Sequence, residues 1–80
     1  MSAWFYILRL QTGRFYCGAT KDLKRRTAEH FEGKGCRTTK GDPPVELIYS
    51  EIFDTYSEAL KREAEVKKWP RKNKEALIGK

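Results

Sequence analysis

Residues 4–30 read WFYILRLQTGRFYCGATKDLKRRTAEH, and the way this stretch folds back on itself sets the architecture. Residues 4–10 form an aromatic and β-branched run in which Phe5, Ile7 and Leu10 are apolar, and a second such run covers residues 14–19. Gly13 stands between them, which is the pattern of a β-hairpin. Tyr6 and Tyr16 have the same parity, so a permissive register points both hydroxyls to one face. Gly18 follows Tyr16 by two, where a missing side chain lets another backbone or a phosphate come close.

Working outward, Asp22 reads as a helix N-cap, with Leu23, Thr27 and Phe31 as the expected buried stripe and Gly33 as the stop. At roughly 100° per residue, Arg26 and His30 fall beside Leu23, while Lys24, Arg25 and Glu29 point elsewhere. Two polar groups therefore border the core. Taken one at a time, a snorkelling arginine and a satisfied half-buried imidazole account for them.

Eighty residues make one small domain, near the lower limit for a core without staples. With 39% apolar and 35% charged residues the chain reads as globular, and no apolar run approaches bilayer length. The first residues lack the pattern of a secretory signal, so a cytoplasmic protein is expected. Cys17 and Cys36 have no second pair and no histidine at ligand spacing, which argues against a disulfide framework or zinc site and for free thiols. The net charge of +6 is segregated: residues 21–40 hold seven Lys or Arg, residues 61–80 hold eight, and residues 41–60 hold none. If the two basic segments meet on one side, a polyanion is the natural partner, with nucleic acid foremost; the competing reading is a pair of solvated helices.

The segment GKGCRTTKGDPP, residues 33–44, has glycines and prolines enough to exclude regular structure. As a loop it offers Lys34, Arg37, Lys40 and the hydroxyls of Thr38 and Thr39 to phosphates, but it lacks the Lys-Ser/Thr ending of a nucleotide-binding loop. Residues 45–53, VELIYSEIF, are a third strand with apolar groups on both faces, expected to be covered by helices on both sides. Asp54 or Thr55 caps a helix over residues 56–69, whose apolar stripe is Tyr56, Ala59, Leu60 and Val66. Glu63 falls near the centre of that stripe. A carboxylate so placed is either ion-paired, with Arg26 the candidate, or a metal ligand. Pro70 separates a last short helix that sets Leu77 and Ile78 on the body and adds Arg71, Lys72 and Lys74 to the basic surface.

Phe5-Tyr6-Ile7-Leu8, then Tyr16-Cys17-Gly18 ten positions on, Arg26 ten after Tyr16 and His30 four after that resemble the core of the GIY-YIG nuclease superfamily, especially its small stand-alone bacterial members. The resemblance covers nearly the whole chain. Trp4-Phe5-Tyr6 stands where the name motif has Gly-Ile-Tyr, and Cys17 replaces the central Ile. It implies one α/β (α+β) domain over residues 1–80, with a three-stranded, mainly antiparallel sheet (residues 3–10, 14–20 and 45–53) flanked by three helices. Strand order beyond the hairpin stays open.

The same resemblance implies a metal-dependent DNA endonuclease acting in repair, recombination or uptake-related processing. In it Glu63 would hold one Mg²⁺ or Mn²⁺, Arg26 would steady the scissile phosphate, Tyr6 would deprotonate or orient the water, and Tyr16 and His30 would support that network. Gly18, Lys24, Arg25, Lys34, Arg37, Lys40 and Lys67 are the candidates for substrate contact. A monomer is expected, with a larger repair complex as a further partner. Without a groove-reading helix or dimer motif, single-stranded or structured DNA is the expected substrate, with Trp4, Tyr16 and Trp69 available to stack on bases if exposed. Two other readings stay open: a nucleic-acid-binding module that does not cut, and an adaptor for an acidic protein partner.

Overall fold

Strand β1 (Ala3–Leu10) pairs antiparallel with β2 (Phe15–Thr20) on one edge and with β3 (Pro44–Phe53) on the other, in a computed structural model that describes residues 2–35 and 37–79. The sheet order is therefore β2-β1-β3. Gly13, at φ 92°, makes the reversal, and Leu10 N–H donates to the Arg14 carbonyl across it at 2.8 Å. The register sets Tyr6 against Gly18 and Leu8 against Tyr16, so both tyrosines share a face as the parity predicts.

Alternation along β1 feeds two cores at once. Tyr6, Leu8 and Leu10 meet Tyr16 and Leu23 on one face, while Phe5 and Ile7, with Cys17, meet Val66, Trp69, Leu77 and Ile78 on the other. Each large apolar side chain buried this fully contributes about 1.5–3 kcal/mol. Helix α1 (Leu23–Phe31) covers the first face. Helices α3 (Tyr56–Lys67) and α4 (Arg71–Ile78) cover the second, and a short α2 (Arg37–Gly41) follows α1. The architecture is α+β, a three-stranded antiparallel sheet with helices on both sides.

The helix ends follow their local chemistry. Asp22 caps α1 by accepting from Arg25 N–H at 3.1 Å, and Gly33 turns the chain away at φ 80°. Of the two residues offered for α3, Thr55 is the cap, and Glu58 closes the capping box by accepting from Thr55 N–H at 3.2 Å. Pro70 precedes α4, which ends at Gly79 in the left-handed region.

Four expectations need correction. Residues 33–44 are not without regular structure: α2 forms because tertiary contacts hold it, Thr39 packing under α1 and Asp42 accepting from Thr12 N–H (3.1 Å) and Thr12 O–H (2.5 Å) across the hairpin. The third strand is an edge, so Val45, Leu47 and Ile52 stay exposed; the strand covered on both faces is β1. On α1 the buried residue is His30, not Phe31, which faces solvent. On α3 only Ala59 and Val66 are buried, while Tyr56 (37% exposed) and Leu60 (41%) lie outside the core.

The two basic segments also part company, since α1 and α3–α4 lie on opposite faces of the sheet. Part of the second segment is occupied internally. Arg62 grips Glu51 with two donors at 2.9 and 3.2 Å, and Arg71 lies over Phe15 and donates to the Gly13 carbonyl at 2.7 Å. Cys17 is buried and free, as expected; Cys36 lies outside the described residues. Among the described residues, no helix is long and apolar enough to cross a membrane.

Candidate active site

Three of the expected residues meet where α1 crosses the face of β1 and β2. His30 is fully buried, and its two ring nitrogens are both engaged: Nε2 lies 2.9 Å from the Tyr6 hydroxyl and Nδ1 lies 3.0 Å from Thr39 Oγ1. Tyr16 completes the group, its ring centroid 5.2 Å from that of His30 and 6.5 Å from that of Tyr6. A neutral imidazole has one N–H. In the tautomer protonated on Nδ1, His30 donates to Thr39 and accepts from Tyr6; in the other, it donates to Tyr6 and accepts from Thr39.

Two glycines make this packing possible. A Cβ on Gly18 would fall within 2.5 Å of Tyr6 Cζ, and one on Gly35 would overlap the His30 ring, 2.8 Å from Cε1. The space left by Gly18 thus receives the Tyr6 side chain, where the sequence suggested a backbone or phosphate. Thr39 and Gly35 could not be assigned from sequence, because both lie in the segment after α1, whose placement depends on tertiary contacts.

The electrostatics favour neutral histidine beside a firmly charged arginine. Burial pushes the His30 pKa below its usual value, and the Arg26 charge adds to this against a raising influence from Glu29. For Arg26, burial works to lower the pKa. Hydrogen bonds to Glu29 and Tyr6, together with the fields of Tyr6 and Tyr16, outweigh that and raise it. Arg26 is half-buried and its guanidinium lies 3.2 Å from Glu29 Oε1. Glu29, not Glu63, is therefore its ion-pair partner.

Glu63 sits on α3, half-buried, and makes no side-chain hydrogen bond or ion pair among the described residues. Its field reaches Cys17 in β2: burial raises that thiol's pKa, Glu63 adds to the rise, and Lys74 and Lys67 oppose it. Glu63 thus lies close enough to the buried Cys17 of β2 for its charge to be felt there. Among the described residues, no three His, Cys, Asp or Glu side chains gather as a metal cage.

The remaining candidates are peripheral. Lys24, Lys40 and Lys67 are exposed; Arg25 pairs with Glu29 at 3.5 Å and Lys34 with Glu32 at 3.7 Å. Arg37 lines a depression with Thr12, Arg14 and Asp42. There the Thr12 hydroxyl bond, with smaller help from Thr12 N–H and Arg14 against burial, holds the Asp42 carboxyl below its usual pKa. Trp4, Tyr16 and Trp69 are half-buried, and Arg62 lies over the Trp69 ring.

Residues 2–76 match the family model described as the GIY-YIG catalytic domain. The UPF0213 protein SSP2268 of Staphylococcus saprophyticus is 45% identical over 75 residues, spanning 94% of this chain and 92% of that protein. A UPF0213 protein of Halobacterium salinarum is 44% identical over 73 residues, spanning 91% and 95%. The solution NMR structure of the protein EF2693 from E. faecalis superposes with a TM-score of 0.64 at 43% identity, covering 98% of this chain and 83% of that one. That of the UPF0213 protein BH0048 from Bacillus halodurans gives 0.62 at 38% identity, with the same coverage.

Proposed function

The chain belongs to the GIY-YIG catalytic-domain family, and from that premise we propose that it is a divalent-metal-dependent DNA endonuclease hydrolysing phosphodiester bonds. The observation that carries this reading is the buried chain Thr39–His30–Tyr6 running up to Arg26. A structural histidine needs satisfied nitrogens, but it does not need a tyrosine hydroxyl wedged between it and a guanidinium.

In this reading Arg26 takes the scissile phosphate, whose charge grows as the water attacks. The guanidinium now leans on Tyr6, which is 1% exposed; drawn outward by the phosphate, it uncovers the hydroxyl. The attacking water loses its proton to the Tyr6 oxygen, and Tyr6 passes its own proton to His30 Nε2. The phenol, with a pKa of about 10, then need not ionise alone. Phosphate beside Arg26 also offsets the positive field that holds His30 neutral, so substrate makes the imidazole a better acceptor. Tyr16 packs against His30 and keeps the ring in place.

Family members typically use a divalent metal, and the donor set here fits one. A lone half-buried carboxylate suits Mg²⁺ or Mn²⁺, which keep several waters and take one or two carboxylates together with substrate phosphate oxygens. Glu63 is the residue that would hold it. When bound, the cation supplies Lewis-acid stabilisation of the phosphate oxygens and a more acidic water.

The test is to incubate the purified protein with labelled single-stranded, duplex and branched DNA in Mg²⁺, Mn²⁺ or EDTA. Products that require metal support the enzyme. DNA that is retarded but intact under every condition would instead make the chain a binding module.

A further inference from the structure

We propose that Tyr56 and Leu60 form a platform on which an unpaired nucleobase stacks beside the phosphate held by Arg26, so that an unpaired strand is the preferred substrate. This rests on the nucleic-acid reading above and adds a residue pair that sequence reasoning had assigned to the core. Tyr56 opens α3 and Leu60 follows one turn later on the same side, while Ala59 and Val66 take the sheet side. The two side chains, 37% and 41% exposed, therefore make a partly open apolar strip beside the sheet-facing side of the helix. Glu63 continues the same side of the helix, so the strip runs toward the carboxylate assigned to metal.

What this strip faces decides its occupant. Tyr56 and Arg26 line one open cleft of about 400 Å³ together with Ala19, Thr20 and Lys21. A second depression, which shares Thr20, Lys21 and Arg26, extends the cleft along α1 past Arg25. The Lys21 ammonium lies 5.4 Å from the centroid of the Tyr56 ring. The acids nearby are engaged: Asp22 caps α1, and Glu29 is shared by Arg25 and Arg26. The cleft thus offers net positive charge next to a partly exposed ring, one face of which Lys21 overlies and the other of which is left for a base.

A nucleotide presents the matching pair, an anion joined to a flat π-surface. In a duplex both faces of each base are covered by neighbours and only the phosphates are available, so Tyr56 could contribute nothing. An unpaired base can rotate out and cover Tyr56 and Leu60 while its phosphate stays with Lys21 and Arg26. An acidic peptide would satisfy the cations equally well but gives the ring no flat partner, and the experiment separates the two.

The experiment measures fluorescence anisotropy in EDTA with a short labelled oligothymidine and an abasic phosphodiester strand of equal length. The native chain should bind oligothymidine about tenfold more tightly than the abasic strand, the size expected for one stacked base. Tyr56→Phe should keep that ratio, and Tyr56→Ala, verified as folded by circular dichroism, should abolish it. Equal affinity of the native chain for the two strands, or discrimination surviving in Tyr56→Ala, overturns the platform. No hydrolysis occurs in EDTA, so the two proposals fail separately. Base discrimination without Mg²⁺-dependent cutting defeats only the catalytic reading, and cutting without base discrimination defeats only the platform.

Discussion

The Tyr6 hydroxyl lies 2.9 Å from Nε2 of His30, from which it is separated by 24 positions in sequence. Because the contact is buried, removing the hydroxyl leaves an imidazole nitrogen that water cannot reach. Tyr6→Phe should therefore cost about 1–3 kcal/mol of stability even though ring volume is preserved. Chemical denaturation measures this. Cleavage should also drop at least about tenfold, equivalent to about 1.4 kcal/mol on the barrier. A Phe variant of native stability would mean that the hydrogen bond does not hold the histidine.

The depressed pKa of His30 makes stability pH-dependent with a definite sign. The folded protein keeps the ring neutral, so below the unfolded value of about 6.5 the unfolded chain binds more protons and stability falls with pH. The contribution is present above that value and is lost as pH drops through it. Melting temperatures between pH 7 and 5 should decline in the native chain. The decline should flatten in His30→Gln, which has no titrating ring.

Glu63 has no side-chain partner among the described residues, so neutralising it breaks no ion pair. Glu63→Gln should melt at or slightly above the native temperature and should still bind DNA, because the cations that attract phosphates are untouched. Metal-dependent cleavage should vanish. Parent-rate cutting in Mg²⁺ by this variant would remove the metal assignment, and a lowered melting temperature would point to a structural role.

On α2 the buried contact belongs to Thr39, whereas Arg37 and Lys40 are exposed. Replacing both with alanine should leave the fold intact and weaken DNA binding. The plot of log affinity against log salt should become shallower by about 1.4–1.8, the loss of two phosphate contacts. An unchanged slope would show that this corner of the molecule does not touch the backbone of DNA.

The hairpin, the shared face of the two tyrosines and the Asp22 cap were legible because turn chemistry and period-2 alternation are local. The choice between His30 and Phe31 was not. Helical spacing put the stripe within one residue of the right place, but burying His30 depends on partners that Tyr6 and Thr39 bring from elsewhere in the chain. Likewise α2 is built by Asp42 reaching Thr12, a contact that no window of sequence contains. Tyr56 and Leu60 show the limit of angular reading on a helix: periodicity locates an apolar side, but the width of a three-stranded sheet decides how much of that side is covered.

The position of β1 in the middle of the sheet has a consequence for how the protein is made. This strand precedes both of its partners in the chain, yet one of them begins only at Pro44 and the helical cover on its second face only at Tyr56. Until then the nascent hairpin carries an unpaired edge and bare Phe5 and Ile7, a natural client for chaperones. On the proposed endonuclease reading, the same delay keeps the chain inactive during translation. Tyr6 waits for His30 and Thr39, and all of them wait for Glu63, so the proposed set of site residues cannot be complete before α3 has been synthesised and docked.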